Sequence, residues 1–520
     1  MVLRYLDLAV IIVYMAAMLM VGRSFARRQT STETYFVAKR SIPHWAMGVS
    51  IYAALITSIT FIAYPGSAYA GNWVELVPSI MIIGVLLLVG SVIVPFYRHV
   101  VRMSVYEYFE KRFGYSVRAY SALAFAVGHF SKMGFVFYTT ALTVSSMTGW
   151  NIYVVMLGTG AVTIYYTVIG GLEAVIWTDV IQGFVKCIGI FVVLGCLWYL
   201  MPGGLSAAFA LAKEHNKFSL GSLEFDLSSR NSVWVMLLYG FFWYVQKYTA
   251  DQVIVQRYLI ARTDKAALRG VALGVLLCIP VWTLFMLIGT LTWAYYQLST
   301  ETLPAFVDKA DKVFPYFLTT KVPAGLAGLF MASLFSAAMA MLSSDLNGLS
   351  VVGVEDFYRR LRPKSTDAQR LATGKWLIAI FGALAILVAV IIAWKSERVL
   401  SFYFTVSSIV AGGLAGLFAL AFLFPSANRQ GATIGIAACL IFTTYGTLTS
   451  GSARVLDLGR FNFPWTGVMI GVIAHLVLLF VGYGASQVFA RGTDAQRAMT
   501  IWGWFDLRKT LAQPARGNES

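Results

Sequence analysis

The chain has 520 residues, of which 58% are hydrophobic and 12% charged, and its mean hydropathy is +0.72. A soluble domain carries about 25% charged residues, so this chain has too little polar surface to cover the roughly three soluble cores its length would suggest. The composition excludes a soluble multidomain protein, whereas the net charge of +16, from 40 Lys+Arg against 24 Asp+Glu, leaves nucleic acid to be decided by where the basic residues lie.

A transmembrane helix needs about 20 mostly apolar residues. In chain order the sequence offers thirteen such stretches, at 5–22, 45–70, 74–97, 120–147, 150–168, 174–200, 232–256, 270–296, 323–352, 374–394, 400–424, 431–449 and 465–490. The first is followed, not preceded, by its basic cluster of Arg23, Arg27 and Arg28, and no small-residue cleavage site ends it. It therefore reads as a span and not as a cleaved signal peptide. Cys187, Cys196, Cys278 and Cys439 all fall in apolar stretches without metal-ligand spacing, and they read as packing residues.

With the N-terminus placed outside and the loops assigned to alternating sides, 26 of the 40 basic residues fall inside, 11 fall outside and three lie within spans. The positive-inside rule then predicts an outside N-terminus and an inside C-terminus. The basic excess is a topology signal, and nucleic acid is rejected as a partner. The longest loops, 202–231 and 297–322, are expected outside.

Ionisable groups inside a membrane are costly and point to function. Lys132, Lys186 and Lys247 sit near span centres, where snorkelling to an interface explains them poorly. Lys247 and Asp251 are four apart, so a local ion pair is as good a reading as a functional one. Asp179 and Lys186 are seven apart and share a face. Glu75 reads as interfacial. The second span runs A-L-I-T-S-I-T-F-I-A-Y-P-G over 54–66. Its Thr57, Ser58 and Thr60 can bond their own backbone, but a helix broken near the midplane also exposes carbonyls that can hold a cation. The ninth span carries Ser336, Ser343, Ser344, Asp345 and Asn347 among small residues, which calls for a polar or wet neighbour. His44, His99, His129, His215 and His475 form no cluster in the sequence. No HExxH, P-loop or G-x-S-x-G motif is present, so no enzymatic constellation and no cofactor is expected.

These segments resemble the sodium:solute symporter family, the relatives of the sodium/glucose, proline and sialic acid symporters, over about 5–425. The motifs are T-A-D-Q-V-I-V-Q-R-Y-L-I-A-R at 249–262, M-L-S-S-D-L-N-G-L-S-V-V-G-V-E-D-F-Y at 341–358, the second span with F-I-A-Y-P-G, and W-T-D-V-I-Q at 177–182. The resemblance implies an all-α membrane fold with a LeuT-like core of two inverted five-helix repeats, at 45–200 and 232–424. Residues 1–44 would be an extra span and loop, 201–231 an external loop, 425–490 two further spans and 491–520 a cytoplasmic tail. The spans beginning at 45 and 232 would be the broken first helix of each repeat.

Carried over by position, the family's sodium site would use the carbonyls of Ala53, Ile56 and Ala337 with two hydroxyls. The hydroxyl positions are Ala340 and Met341 here, a departure that leaves the site degenerate. A second cation position would use Asp179, Ser343 and Ser344. Lys186 could put an ammonium in the space of the lost sodium, or it could simply pair with Asp179. The solute positions implied are Thr57, Thr60, Ser79 and Asp251, together with Lys132 where the sialic-acid branch has a carboxylate-binding arginine. The expected function is a multi-pass secondary transporter of the cell membrane. It would import a small polar organic solute, such as a sugar, a sugar acid or another carboxylate, by alternating access with Na+ as the coupled ion. A proton-coupled or sodium-independent carrier is the alternative, and a membrane sensor domain is the rival from another class. The expected partners are the solute and membrane lipid, and a monomer is adequate.

Overall fold

Within a bilayer each backbone N–H and C=O must be satisfied by the protein itself, and a helix does this within one segment. The computed structural model describes residues 5–305, 307–394, 412–451, 454–489 and 493–512. Among them the regular structure is helical, with two isolated β-bridges, Ile42–Ala261 and Ser222–Ser232. Numbered in chain order, the helices used below are α1 (Tyr5–Ala26), α2 (His44–Leu55), α3 (Ser58–Ala70), α4 (Val77–Leu88), α5 (Tyr115–Thr148), α6 (Ile152–Leu200), α7 (Val233–Thr249), α8 (Gln252–Leu259), α9 (Asp264–Leu298), α10 (Ala310–Lys321), α11 (Leu326–Val352), α12 (Asp367–Trp394) and α13 (Leu414–Leu423).

Among the described residues, eight helices are long and apolar enough to cross a membrane, and the pair α2 and α3, bent by 59°, would make a ninth span. The remaining predicted stretches take other forms. Those at 150–168 and 174–200 join in α6, whose 49 residues would run about 74 Å if straight, over twice the hydrocarbon thickness. α6 is instead broken at Gly171, where φ +58° and ψ −162° suit glycine, and a Cβ would come within 2.7 Å of the Tyr35 ring. The stretch at 120–147 is helical as α5, but its serines, threonines, His129 and Lys132 make it too polar to rank with the eight. That at 232–256 divides into α7 and α8. Of 400–424, residues 400–411 lie outside the described residues and the rest carries α13.

The two stretches beginning at 45 and 232 are both interrupted. α2 ends where Ile56 turns extended (φ −88°, ψ 101°), and Thr57 restarts the chain as α3 with a reciprocal capping box to Thr60. α7 ends at Ala250, and the Asp251 carboxylate caps α8 by accepting from the Val253 amide at 2.9 Å.

α11 is the central helix. Its most apolar stretch is 89% buried, against 28% for α1 and α12. Its alanines, serines and glycines let other helices close on it, as at Gly189 of α6, where a Cβ would come within 2.1 Å of Ser333 Oγ. Asp7 of α1 ties the first helix to this centre, because its Oδ1 accepts from the Gly325 and Gly328 amides, each at 2.7 Å, at the N-terminus of α11. Leu87, Trp198, Trp376 and Phe480 remain exposed on the outer helices, a surface that suits lipid and not water. The four cysteines are free, with Cys278 and Cys439 buried and Cys187 and Cys196 partly so.

Candidate functional site

A helix that stops inside a protein leaves its last carbonyls without intrahelical partners, at the negative end of its dipole. At the end of α2 two of these oxygens are taken by one side chain. Lys186 Nζ of α6, fully buried, donates to Ala53 O at 2.6 Å and to Ile56 O at 2.9 Å. This side-chain nitrogen stands on the two carbonyls that the family pattern assigns to sodium. Ala337, the third expected carbonyl, is buried on α11 and does not accept from Lys186. Sodium is a hard ion that needs several oxygens. Here two are already bonded, and Ala340 and Met341 supply no hydroxyls.

Asp179 faces the same interior, yet its ionic partner is Arg257 and not Lys186. Asp179 Oδ2 accepts from Ser50 Oγ at 2.6 Å and from Arg257 Nη2 at 2.9 Å, while Oδ1 is buried without a hydrogen-bond donor. Arg257, counted from the sequence among the inside loop residues, is in fact 1% exposed on α8. Its Nε donates to Ser50 Oγ at 2.9 Å, Nη1 to Val253 O at 2.7 Å and Nη2 to Ser344 Oγ at 2.6 Å. A planar fork with several donors can serve all these acceptors, whereas an ammonium could not. Two of the expected trio, Asp179 and Ser344, are thus bonded to the guanidinium, and Ser343 is not. Ser343 and Ser344 both donate to Ala340 O, and Ser343 and Asp179 both face Tyr166. Asp179 Oδ1 is the carboxylate oxygen left over.

The residues expected to bind solute divide into three places. Lys132 of α5 is joined to Asp345 of α11, with Nζ 2.9 Å from Oδ2 and 3.1 Å from Oδ1. Asp251, at the α7–α8 break, takes Lys247 at 2.5 Å, so the predicted local pair forms. His129 lies between the two carboxylates and links Lys132 and Asp251 into one buried cluster. Thr57 and Thr60 form the capping box at the start of α3, just after the break, where the Thr57 amide donates to Thr60 Oγ1 at 3.3 Å. Beside them Thr140 of α5 donates to Ser58 Oγ at 2.9 Å. Ser79 on α4 is 1% exposed, its Oγ lacks a hydrogen-bond partner, and it lies near the phenols of Tyr64 and Tyr244, apart from the charged cluster. Glu75, read as interfacial, is held by Arg230 through two bonds of 2.8 and 3.2 Å.

Sequence reasoning missed His129, Arg257 and Ser50. His129 and Lys132 are three apart on one helix, a spacing that puts them on one face and was the available signal. The carboxylates that complete the cluster come from distant segments and left no local trace.

A cleft of about 410 Å³ lies between α3, α5 and α10, next to the Ser58–Thr140 bond. Ile59, Thr139, Thr143, Asp311 and Tyr316 are among its walls. Asp311 packs on the α3 backbone, where a Cβ on Gly66 would come within 2.0 Å of its Oδ1, and burial pushes the Asp311 carboxyl above its ordinary range.

Among the described residues no group of three His, Cys, Asp or Glu could hold a metal ion. A model of the sodium:solute symporter family matches residues 35–438. The sodium/sialic acid symporter SiaT of Proteus mirabilis is 32% identical over 91% of this chain and 94% of its own length. The sodium/sialic acid symporter NanT of Aliivibrio fischeri is 29% identical over 96% of this chain and 97% of its own. A solved structure described as the substrate-bound outward-open state of a Na+-coupled sialic acid symporter aligns with 94% of this chain and 99% of that one, at 29% identity and a TM-score of 0.85.

Proposed function

Because this chain belongs to the sodium:solute symporter family, we propose that it imports a sugar acid of the sialic-acid class together with a single sodium ion, a resident ammonium standing in for a second. The protein is a multi-pass, sodium-coupled solute importer of the cell membrane. The reading of a single sodium is carried by Lys186 Nζ on the carbonyls of Ala53 and Ile56. A tethered cation cannot be released, so that position contributes no ion to the transport cycle. The exchangeable cation is assigned to Asp179 Oδ1 with Ser343 and Ser344.

Two features favour a sugar acid. Lys132 offers a positive charge that a solute carboxylate could share with Asp345. Thr140, bonded to Ser58 at the α2–α3 break, stands eight residues further along α5 than Lys132, about 12 Å at 1.5 Å per residue. A solute that reaches from Lys132 towards the hydroxyls of Thr57 and Thr60 runs along this part of α5, a length that suits a sugar acid better than a two- or three-carbon acid. The arrangement is proposed to sit in thirteen spans with the N-terminus outside, the repeats at 45–200 and 232–424, and the extra and external segments as the sequence places them.

The test of the solute is uptake of labelled sialic acid by purified protein in liposomes. Lys132→Ala should lower uptake at least tenfold, and Lys132→Arg should retain a measurable fraction by keeping the charge. Uptake unaltered by Lys132→Ala would contradict the carboxylate assignment.

A further inference from the structure

His129 is 7% exposed, and its ring is held between carboxylates from two other segments. Nε2 is hydrogen-bonded to Asp251 Oδ2 at 3.2 Å at the α7–α8 break, and Nδ1 lies 3.0 Å from Asp345 Oδ1 on α11 without hydrogen-bond geometry. A neutral imidazole has one N–H and one bare lone pair. The tautomer that donates from Nε2 to Asp251 leaves its Nδ1 lone pair beside a carboxylate oxygen, a repulsion that protonation at Nδ1 replaces with an attraction.

The groups around the ring come from every element packed against it. Lys132 on α5 bonds Asp345, and Lys247 on α7 bonds Asp251. Tyr106 donates to Ala250 O beside Asp251, and the Phe125 ring lies 4.0 Å from the imidazole. With His129 neutral, the two ammonium groups balance the two carboxylates. With His129 protonated, the cluster carries one surplus positive charge, which one solute carboxylate cancels.

We propose that His129 binds a proton that this carrier moves together with its anionic solute. The proposal rests on the reading of the solute as an acid. The proton is taken from water on the side where the solute binds, forms an N–H bond on the imidazole, and returns to water from that nitrogen on the side where the solute leaves. No other bond is made or broken. The ring ties α5 to the α7–α8 break and to α11, so deprotonation turns one of these ties into a lone pair facing a carboxylate and frees that element to move.

The experiment uses liposomes holding the full chain, with equal sodium on both faces and the membrane potential clamped at zero. Labelled sialic acid is followed with an acidic exterior and with matched pH, and counterflow against preloaded unlabelled sialic acid is measured alongside. Wild type should accumulate label several-fold above equilibrium only with the acidic exterior. His129→Gln should retain counterflow at a reduced rate and accumulate none. A wild type that shows counterflow but no response to the pH gradient overturns the proposal, and this comparison stands even where the variant is unstable. A variant that keeps gradient-driven accumulation overturns it too. A wild type without counterflow overturns the solute reading and this proposal with it.

Discussion

Arg257 and Asp179 form a buried pair whose worth lies in what would follow from breaking it. Both side chains are all but inaccessible, and the guanidinium also serves Ser50, Val253 and Ser344. Removing one partner of such a pair leaves an uncompensated buried charge, at about 3–5 kcal/mol. Arg257→Ala should therefore lower the Tm of the purified protein sharply, and the double variant Arg257→Ala with Asp179→Asn should recover part of that loss. Equal losses for the single and double variants would show that the charge is satisfied some other way. The sequence placed Asp179 and Lys186 on one face, and the family motif supplied the two carbonyls that Lys186 meets. It did not reveal Arg257, because a basic residue after V-Q read as a loop charge. It did not reveal His129 as a bridge, because a ring joining α5 to Asp251 and Asp345 depends on how helices distant in sequence come together.

At the scale of elements, the break between α2 and α3 was legible from the hydroxyls of Thr57, Ser58 and Thr60, whereas Pro65 and Gly66 lie within α3, and the break between α7 and α8 followed from the family resemblance alone. The joining of two predicted spans into α6 was not legible, because Gly170 and Gly171 permit either a loop or a bent helix and the packing of Tyr35 selects the latter. α10 packs on α3 through Asp311 at Gly66, and this contact should respond to pH. Burial places the Asp311 carboxyl above its unfolded value, so its contribution is complete below the unfolded pKa and is lost as pH rises through the folded one. The hold of α10 on α3 should accordingly loosen as pH rises through the acidic range. A cysteine placed at Thr139, in the adjoining cleft, should become more reactive to a membrane-impermeant reagent over that range. Asp311→Asn should flatten the dependence, and a profile unchanged by that substitution would contradict the assignment.

For the whole molecule, composition gave the membrane class directly. The exposed apolar side chains of α4, α6 and α12 agree with that class, while the inner helix α11 is set apart by small residues. What composition could not give is the fate of the few charges kept inside. The resemblance alone would assign sodium to the end of α2, and the structure puts Lys186 there. An ammonium held at the end of α2 leaves room for one exchangeable sodium, and ion stoichiometry tests this. Proteoliposomes given ²²Na+ and labelled sialic acid in parallel should take up no more than one sodium ion per solute molecule. A measured ratio of two or more would contradict the account, because it would require a second exchangeable sodium in a protein whose first site is already filled.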